Sequence, residues 1–172
     1  LKLHIPSENE LEYRRHLIAD EDTMAYNCGY GDNGGCTYHQ SPEQIQQWYK
    51  QWNKDNQYFY AYIVRAEDNT YIGEVNAHKS HNTNWYDMGI VIEAKYRGMG
   101  YSVEALKLLL KYAFDILGAE AVHNDFKETR TAAVKTHLAA GFSEYNRHDG
   151  IIELLITKEQ FERQSAIETF KK

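Results

Sequence analysis

The chain has 172 residues, 42% of them hydrophobic, with 14 Tyr, 6 Phe and 3 Trp, enough to bury one core, while no run approaches the roughly 20 apolar residues that span a bilayer. A formal net charge of -6 and the lack of a clustered basic face argue against a nucleic-acid surface, so neither nucleic acid nor membrane is expected as a partner. The opening Leu1-Lys2-Leu3-His4-Ile5-Pro6 lacks the apolar core of a secretory leader; with Cys28 and Cys36 read as reduced thiols, although a disulfide is geometrically open to them, a cytoplasmic location is expected.

The first five residues read as a short strand ended by Pro6. Ser7-Glu8-Asn9-Glu10 fits a capping box and predicts a helix to about Ile18, followed by a helical turn from Asp20 to Tyr26 and a glycine-rich loop from Cys28 to Gln40. Ser41-Pro42-Glu43-Gln44 repeats the box, with Pro at the first helical position, and starts a helix carrying Ile45, Trp48, Tyr49 and Trp52 on one side. Tyr58 to Ala66 and Tyr71 to Lys79 read as a hairpin around Glu67-Asp68-Asn69-Thr70, and Trp85 to Glu93 as a third strand after the polar loop Ser80 to Asn84.

Next comes Tyr96-Arg97-Gly98-Met99-Gly100-Tyr101-Ser102, between that strand and an amphipathic helix with Val103, Leu106, Leu109, Leu110, Ala113, Phe114 and Leu117 on its apolar face. A strand entering a glycine-relaxed turn and leaving as a helix aims free backbone N–H groups and a positive dipole end at one spot, the requirement for holding a phosphate. Gly118 stops the helix; Ala119 to Phe126 is a strand, Thr129 to Ala140 a helix stopped by Gly141, and Phe142 to Tyr145 pairs with Ile151 to Thr157 around His148-Asp149-Gly150. Lys158 to Lys172 looks helical with few apolar anchors, a tail expected to fray or dock on a partner.

This order of elements resembles the GNAT superfamily of N-acetyltransferases across nearly the whole chain. Two motifs carry the resemblance: Arg97, Gly100 and Ser102 stand where the family has Arg or Gln, Gly, then Gly or Ala, and Ala133 to Phe142 matches its late helix ending in Gly-Phe. The resemblance implies an α+β fold, a single GNAT-like domain over 1–157 with a helical tail over 158–172. Its mixed, mostly antiparallel sheet would have about six to seven strands flanked by about four helices, splayed between the fourth and fifth strands.

It further implies an acyl-CoA-dependent N-acyltransferase, moving acetyl from acetyl-CoA to a primary amine of a small molecule or peptide by direct transfer in a ternary complex. Arg97, Gly98, Met99, Gly100, Tyr101, Ser102 and Val103 would cradle the pyrophosphate, Ile90, Val91 and Ile92 would pair with the pantetheine arm, and Arg130 would answer a phosphate. His137 stands where the family often has a Tyr proton donor, and is read either as that donor or as a satisfied core histidine. Asp125 is the first candidate for the base, with capping of the next turn as its other reading, and Glu74 is the runner-up; Glu93 reads as the polar end of its strand.

The acidic residues Glu8, Glu10, Glu12, Asp20, Glu21, Asp22 and Asp32, faced by Arg14 and Arg15 alone, suggest a cationic amine acceptor, and the neighbouring Tyr and Trp residues an aromatic pocket for it. His78-Lys79-Ser80-His81 lacks further ligands, so no metal is expected. A homodimer is left open. The alternative class is a non-catalytic acyl-CoA-binding module on the same fold; a nucleotide-binding enzyme is disfavoured because the glycine turn lacks Gly-x-x-x-x-Gly-Lys-Ser/Thr spacing.

Overall fold

A computed structural model describes residues 1–52, 55–80 and 83–170, the last three by backbone alone. His81 and Asn82 of the expected polar loop, and Lys171 and Lys172 of the tail, lie outside the described residues. Seven strands, β1 (Lys2–His4), β2 (Tyr58–Val64), β3 (Tyr71–Lys79), β4 (Trp85–Ile92), β5 (Ala121–Lys127), β6 (Ser143–His148) and β7 (Ile151–Thr157), form a mixed sheet in the order β1-β2-β3-β4-β5-β7-β6. The described helices are α1 (Glu12–Ala19), α2 (Glu21–Met24), α3 (Pro42–Trp52), α4 (Tyr101–Asp115), α5 (Thr131–Ala140) and α6 (Lys158–Phe170). They exceed the four expected because the short turn α2 and the tail α6 both count as helices. None is long and apolar enough to cross a membrane.

β4 and β5 run parallel, but their register covers only Trp85↔Ala121, Tyr86↔Val122 and Asp87↔His123. β5 then pairs antiparallel with β7 along its whole length, from Ala121↔Thr157 to Lys127↔Ile151. The sheet is therefore splayed between its fourth and fifth strands, as the family resemblance implies.

The chain divides into two compact units. The first comprises Leu1–Asn76 and Ile90–Tyr101. Both capping boxes form: the Glu10 carboxylate accepts from the Ser7 N–H at 2.8 Å, and Gln44 Oε1 accepts from the Ser41 N–H at 2.7 Å. The predicted first helix is split, a 3₁₀ turn over Glu8–Glu10 preceding α1. Buried Leu11, Ile18 and Ile45 pack with Tyr38, Trp48 and Tyr49, and a second cluster gathers Tyr60, Tyr62 and Val64 with Tyr13, Trp52 and Tyr71. The i, i+3, i+4, i+7 pattern of α3 supplies the helical wall of both. Cys28 and Cys36 are joined by a disulfide, which corrects the expectation of reduced thiols. The glycines between them let the loop fold back, with the Gly29 and Gly31 N–H groups both donating to the Gly35 carbonyl at 3.1 and 2.9 Å, and this closure brings the two cysteines together.

The second unit comprises Ala77–Gly89 and Ser102–Lys172. α4 buries Ala105, Leu106, Leu109, Leu110, Ala113 and Phe114. α5 ends at Gly141 with φ 108°, the Gly141 and Phe142 N–H groups returning to Leu138 and His137 carbonyls. Asp149 and Gly150, both at positive φ, make the two-residue turn between β6 and β7, and β6 is interrupted by a bulge between Glu144 and Asn146. The first turns of α6 are anchored rather than frayed: Thr157 and Gln160 cap each other, Phe161 lies 5.3 Å from Phe114 between ring centroids, and Gln164 donates to the Gly141 carbonyl at 3.2 Å.

Candidate active site

β4 delivers the chain to the expected turn. Gly98 and Gly100 sit at φ 77° and 82°, a backbone region that side chains other than glycine enter at a cost. Tyr101 opens α4, so the N–H groups of Tyr101, Ser102 and Val103 belong to its first turn and have no carbonyl partner within the helix. Met99 is exposed beside them, Ile90 and Val91 are half-buried, and Ile92 is buried. Together they form a stretch of strand edge followed by an anion-receptive helix start.

Arg97 is engaged by backbone carbonyls. Its Nε donates to the Ile92 carbonyl at 3.1 Å and its two terminal nitrogens to the carbonyls of Asp22 and Thr23. The Thr23 hydroxyl in turn accepts from the Ala94 N–H at 3.0 Å. The guanidinium thus ties the end of β4 to α2.

In the same unit Glu74 is the buried carboxylate of β3, with one oxygen on Arg14 and the other on Tyr60. Arg14 also lies over the Trp48 ring at 3.8 Å. Both oxygens of this runner-up base are therefore engaged in a packed ion pair, and desolvation followed by the Glu74 charge pushes the Tyr60 phenol well above its ordinary range. Glu93 accepts from the Tyr13 hydroxyl at 2.8 Å and pairs with Lys95 at 2.8 Å. With Asp20, Asp22, Thr23 and His16 these residues line a cavity of about 410 Å³.

In the second unit His137 is buried, 2% exposed. Its Nδ1 lies 2.8 Å from the Ala133 carbonyl, which only accepts, so Nδ1 carries the hydrogen and Nε2 accepts from the Asn124 amide at 2.9 Å. Burial, with the Arg130 charge adding to it, pushes the imidazole below its ordinary pKa. Asn124 and Phe126 point to the α5 side of β5; Asp125, on the alternate pleat, is exposed on the opposite face. The structure therefore does not bring Asp125 and His137 together. Arg130 stands at the start of α5, its guanidinium 5.2 Å from the Phe126 ring centre.

One constellation escaped the sequence reading. On the Asp125 face of β5, His123 Nδ1 lies 2.7 Å from Asp87 of β4, and its Nε2 3.3 Å from Glu153 of β7. Glu153 also meets His148 and Asn146 of β6, each at 2.9 Å. Only the β4–β5–β7–β6 register could have signalled it, since these residues are remote in sequence. Among the described residues no three His, Cys, Asp or Glu side chains stand in an arrangement that would hold a metal ion.

A sequence profile of the acetyltransferase (GNAT) domain matches residues 2–143. Among solved structures, spermidine N-acetyltransferase from Vibrio cholerae in complex with CoA and spermine aligns with TM-score 0.78 at 17% identity, over 94% of this chain and 97% of that one. A GNAT-family acetyltransferase from Bacillus anthracis aligns with TM-score 0.71 at 17% identity, over 91% and 94%. At these identities the likeness is one of fold.

Proposed function

The chain belongs to the GNAT acetyltransferase family, and from that premise we propose that it transfers acetyl from acetyl-CoA to a primary amine of a small molecule or peptide, directly and in a ternary complex. The observation that carries this reading is the passage from β4 through Gly98 and Gly100, both at positive φ, into the first turn of α4. Backbone N–H groups from Gly98 to Val103 receive the pyrophosphate, and the edge of Ile90, Val91 and Ile92 receives the pantetheine arm by strand addition. Arg97 braces the turn from behind, and Arg130 answers a phosphate. A strand N–H near Ile92 polarises the thioester carbonyl.

Proton handling in this reading falls to Asp125, whose exposure suits transfer through water. His137, with both nitrogens engaged, positions Asn124 and the start of the late helix. A cationic acceptor is supported by the acidic cavity beside α1 and α2 and by the spermine in the Vibrio cholerae complex. Acetyl-CoA at 100 times its Kd should stabilise the protein by about 2.7 kcal/mol in thermal unfolding, and thiol release across an amine panel should identify acceptors. Absence of stabilisation would overturn the reading. The engaged nitrogens of His137 favour the second reading, an acyl-CoA-binding module, to the extent that binding occurs without turnover of any amine.

A further inference from the structure

The loop between α2 and α3 carries a covalent bond that takes no part in acyl transfer. Cys28 and Cys36 are disulfide-bonded and are the only cysteines of the chain, so a thiol that exchanges with them must come from outside. Cys28 is exposed and Cys36 half-buried, which leaves the first sulfur open to attack from solvent. Four of the seven residues between them are glycine, and opening the ring would return a large backbone freedom to that segment. The ring is closely folded: the Asp32 N–H donates to the Thr37 carbonyl at 2.8 Å, and a Cβ on Gly31 would collide with the Thr37 carbonyl oxygen and the Cys36 carbonyl carbon.

Both ends of the ring reach the walls of the cavity beside α1 and α2. Past Cys36, the Tyr38 N–H donates at 2.9 Å to the Ile18 carbonyl, one of the last-turn carbonyls that α1 cannot pair within itself, and Arg15 Nε donates to the Gln40 carbonyl at 2.8 Å. The Tyr38 side chain packs on Leu11, Ile18 and Ile45. Before Cys28, the Asn27 amide donates to the Cys36 carbonyl at 2.9 Å, and the 3₁₀ turn Ala25–Asn27 joins Asn27 directly to α2. Tyr13, His16 and Leu17 of α1, with Asp20, Asp22 and Thr23 at α2, line the cavity. The closed ring thus fastens the two helices that wall it.

Resting on the acyltransferase reading for its consequence, we propose that Cys28 and Cys36 form a thiol-exchange site, and that a dithiol reductant, by opening it, weakens acceptor binding at this cavity. A thiolate of the dithiol attacks Cys28 Sγ; the S–S bond breaks, and Cys36 leaves as a thiolate that takes up a proton. The second thiol of the reductant then attacks its own sulfur in the mixed disulfide and expels Cys28, which is protonated in turn. Two electrons and two protons pass to the protein, the dithiol ends as a disulfide, and a disulfide donor reverses the exchange. With the ring open, the bonds from Tyr38 to Ile18 and from Arg15 to Gln40 lose their anchor, and fewer molecules hold α1 and α2 set for the acceptor.

Dithiothreitol is the probe reductant and spermine the probe acceptor. The whole protein is compared oxidised, reduced and desalted under nitrogen, and reoxidised, beside the double variant Cys28→Ser/Cys36→Ser and Gly31→Ala. Without denaturant, dithiothreitol should open both cysteines to alkylation, and amide exchange should quicken at Gly29, Gly31, Asp32 and Tyr38, whose N–H groups hold the ring and its anchor. In calorimetric titration reduction should weaken spermine binding about fivefold, as expected if about one molecule in five stays competent, with acetyl-CoA binding changed less. Reoxidation should restore the affinity. The double serine variant should show the weaker binding from the start and ignore the reductant, and Gly31→Ala, whose added carbon obstructs closure, should be reduced at lower dithiothreitol. The proposal is overturned if the disulfide resists reductant until the protein unfolds, or if the oxidised protein binds no spermine. It is equally overturned if reduction lowers the melting temperature while spermine affinity stays put, or weakens spermine and acetyl-CoA alike, either of which would mark a structural staple. Failure of the oxidised protein to bind acetyl-CoA overturns the acyltransferase reading instead, in an arm that involves neither reductant nor variant.

Discussion

Asn124 and His137 meet where β5 packs on α5, the amide Nδ2 2.9 Å from the imidazole Nε2, and the Ala133 carbonyl on the other side fixes the neutral tautomer. The folded protein therefore resists protonating this ring, which burial and Arg130 hold below its ordinary pKa. His137 contributes its stability above the unfolded value of about 6.5 and loses it as pH falls through the lowered folded value. His137→Phe should flatten that acid-side slope and destabilise by about 1–3 kcal/mol at pH 8, because Asn124 and Ala133 lose their partner. Urea unfolding at several pH values measures both. His123 should show the opposite sign, its contribution full below about 6.5 and lost as pH rises through its raised value.

Arg14 and Glu74 form the buried ion pair of the first unit, stacked under Trp48. Removing one partner strands the other charge. Glu74→Gln is expected to cost about 3–5 kcal/mol in denaturant unfolding, whereas a surface pair such as Lys111–Asp115 should cost under about 1 kcal/mol when broken.

Glu10 accepts from Tyr71, from the Ser7 N–H and hydroxyl, and from His4, and these hydrogen bonds, Tyr71 foremost, hold its carboxyl down to about 2. Its stabilisation is present above the unfolded value of about 4.5 and is lost as pH falls through about 2. Glu10→Gln should thus be less stable than wild type at pH 7, with the gap closing through the window from 4.5 to 2. Convergence absent over that range in thermal melts would contradict the assignment.

Gly100, at φ 82°, has open space where a Cβ would stand, so a substitution there is strained by backbone conformation rather than by collision. Gly100→Val should lose about 1–2 kcal/mol of stability and, by tilting the N–H groups of the turn, weaken acetyl-CoA binding by roughly tenfold. Calorimetric titration with acetyl-CoA, beside melts of the free protein, separates the two effects.

What the sequence showed most clearly was local. The two Ser-x-x-Glu/Gln boxes, the Gly141 stop and the Asp149-Gly150 turn are each decided within a few residues, and each forms as read. The Arg97 side chain was legible as a motif but its bonds to α2 were not, since Asp22 and Thr23 lie some 75 residues away. The disulfide went the other way from expectation because the loop's backbone hydrogen bonds, not its composition, decide how Cys28 meets Cys36. His137 was placed on the right helix. Its burial depends on Asn124 and Phe126 projecting from β5, a tertiary fact that helical spacing alone does not contain. Asp87, His123 and Glu153 were unreadable for the same reason: three strands must be set in register before they become neighbours.

The bulge in β6 has a colloidal consequence. β6 ends the strand order, every one of its residues is exposed, and a straight strand so placed would offer its free backbone to any passing chain. The extra residue between Glu144 and Asn146 breaks that template in the middle, and Arg147, bridging Glu144 and Glu128, lays charge across what remains. Deleting Tyr145 to straighten the strand would remove this guard, so self-association of the concentrated protein would arise at that edge, with the Gly98–Gly100 turn left intact.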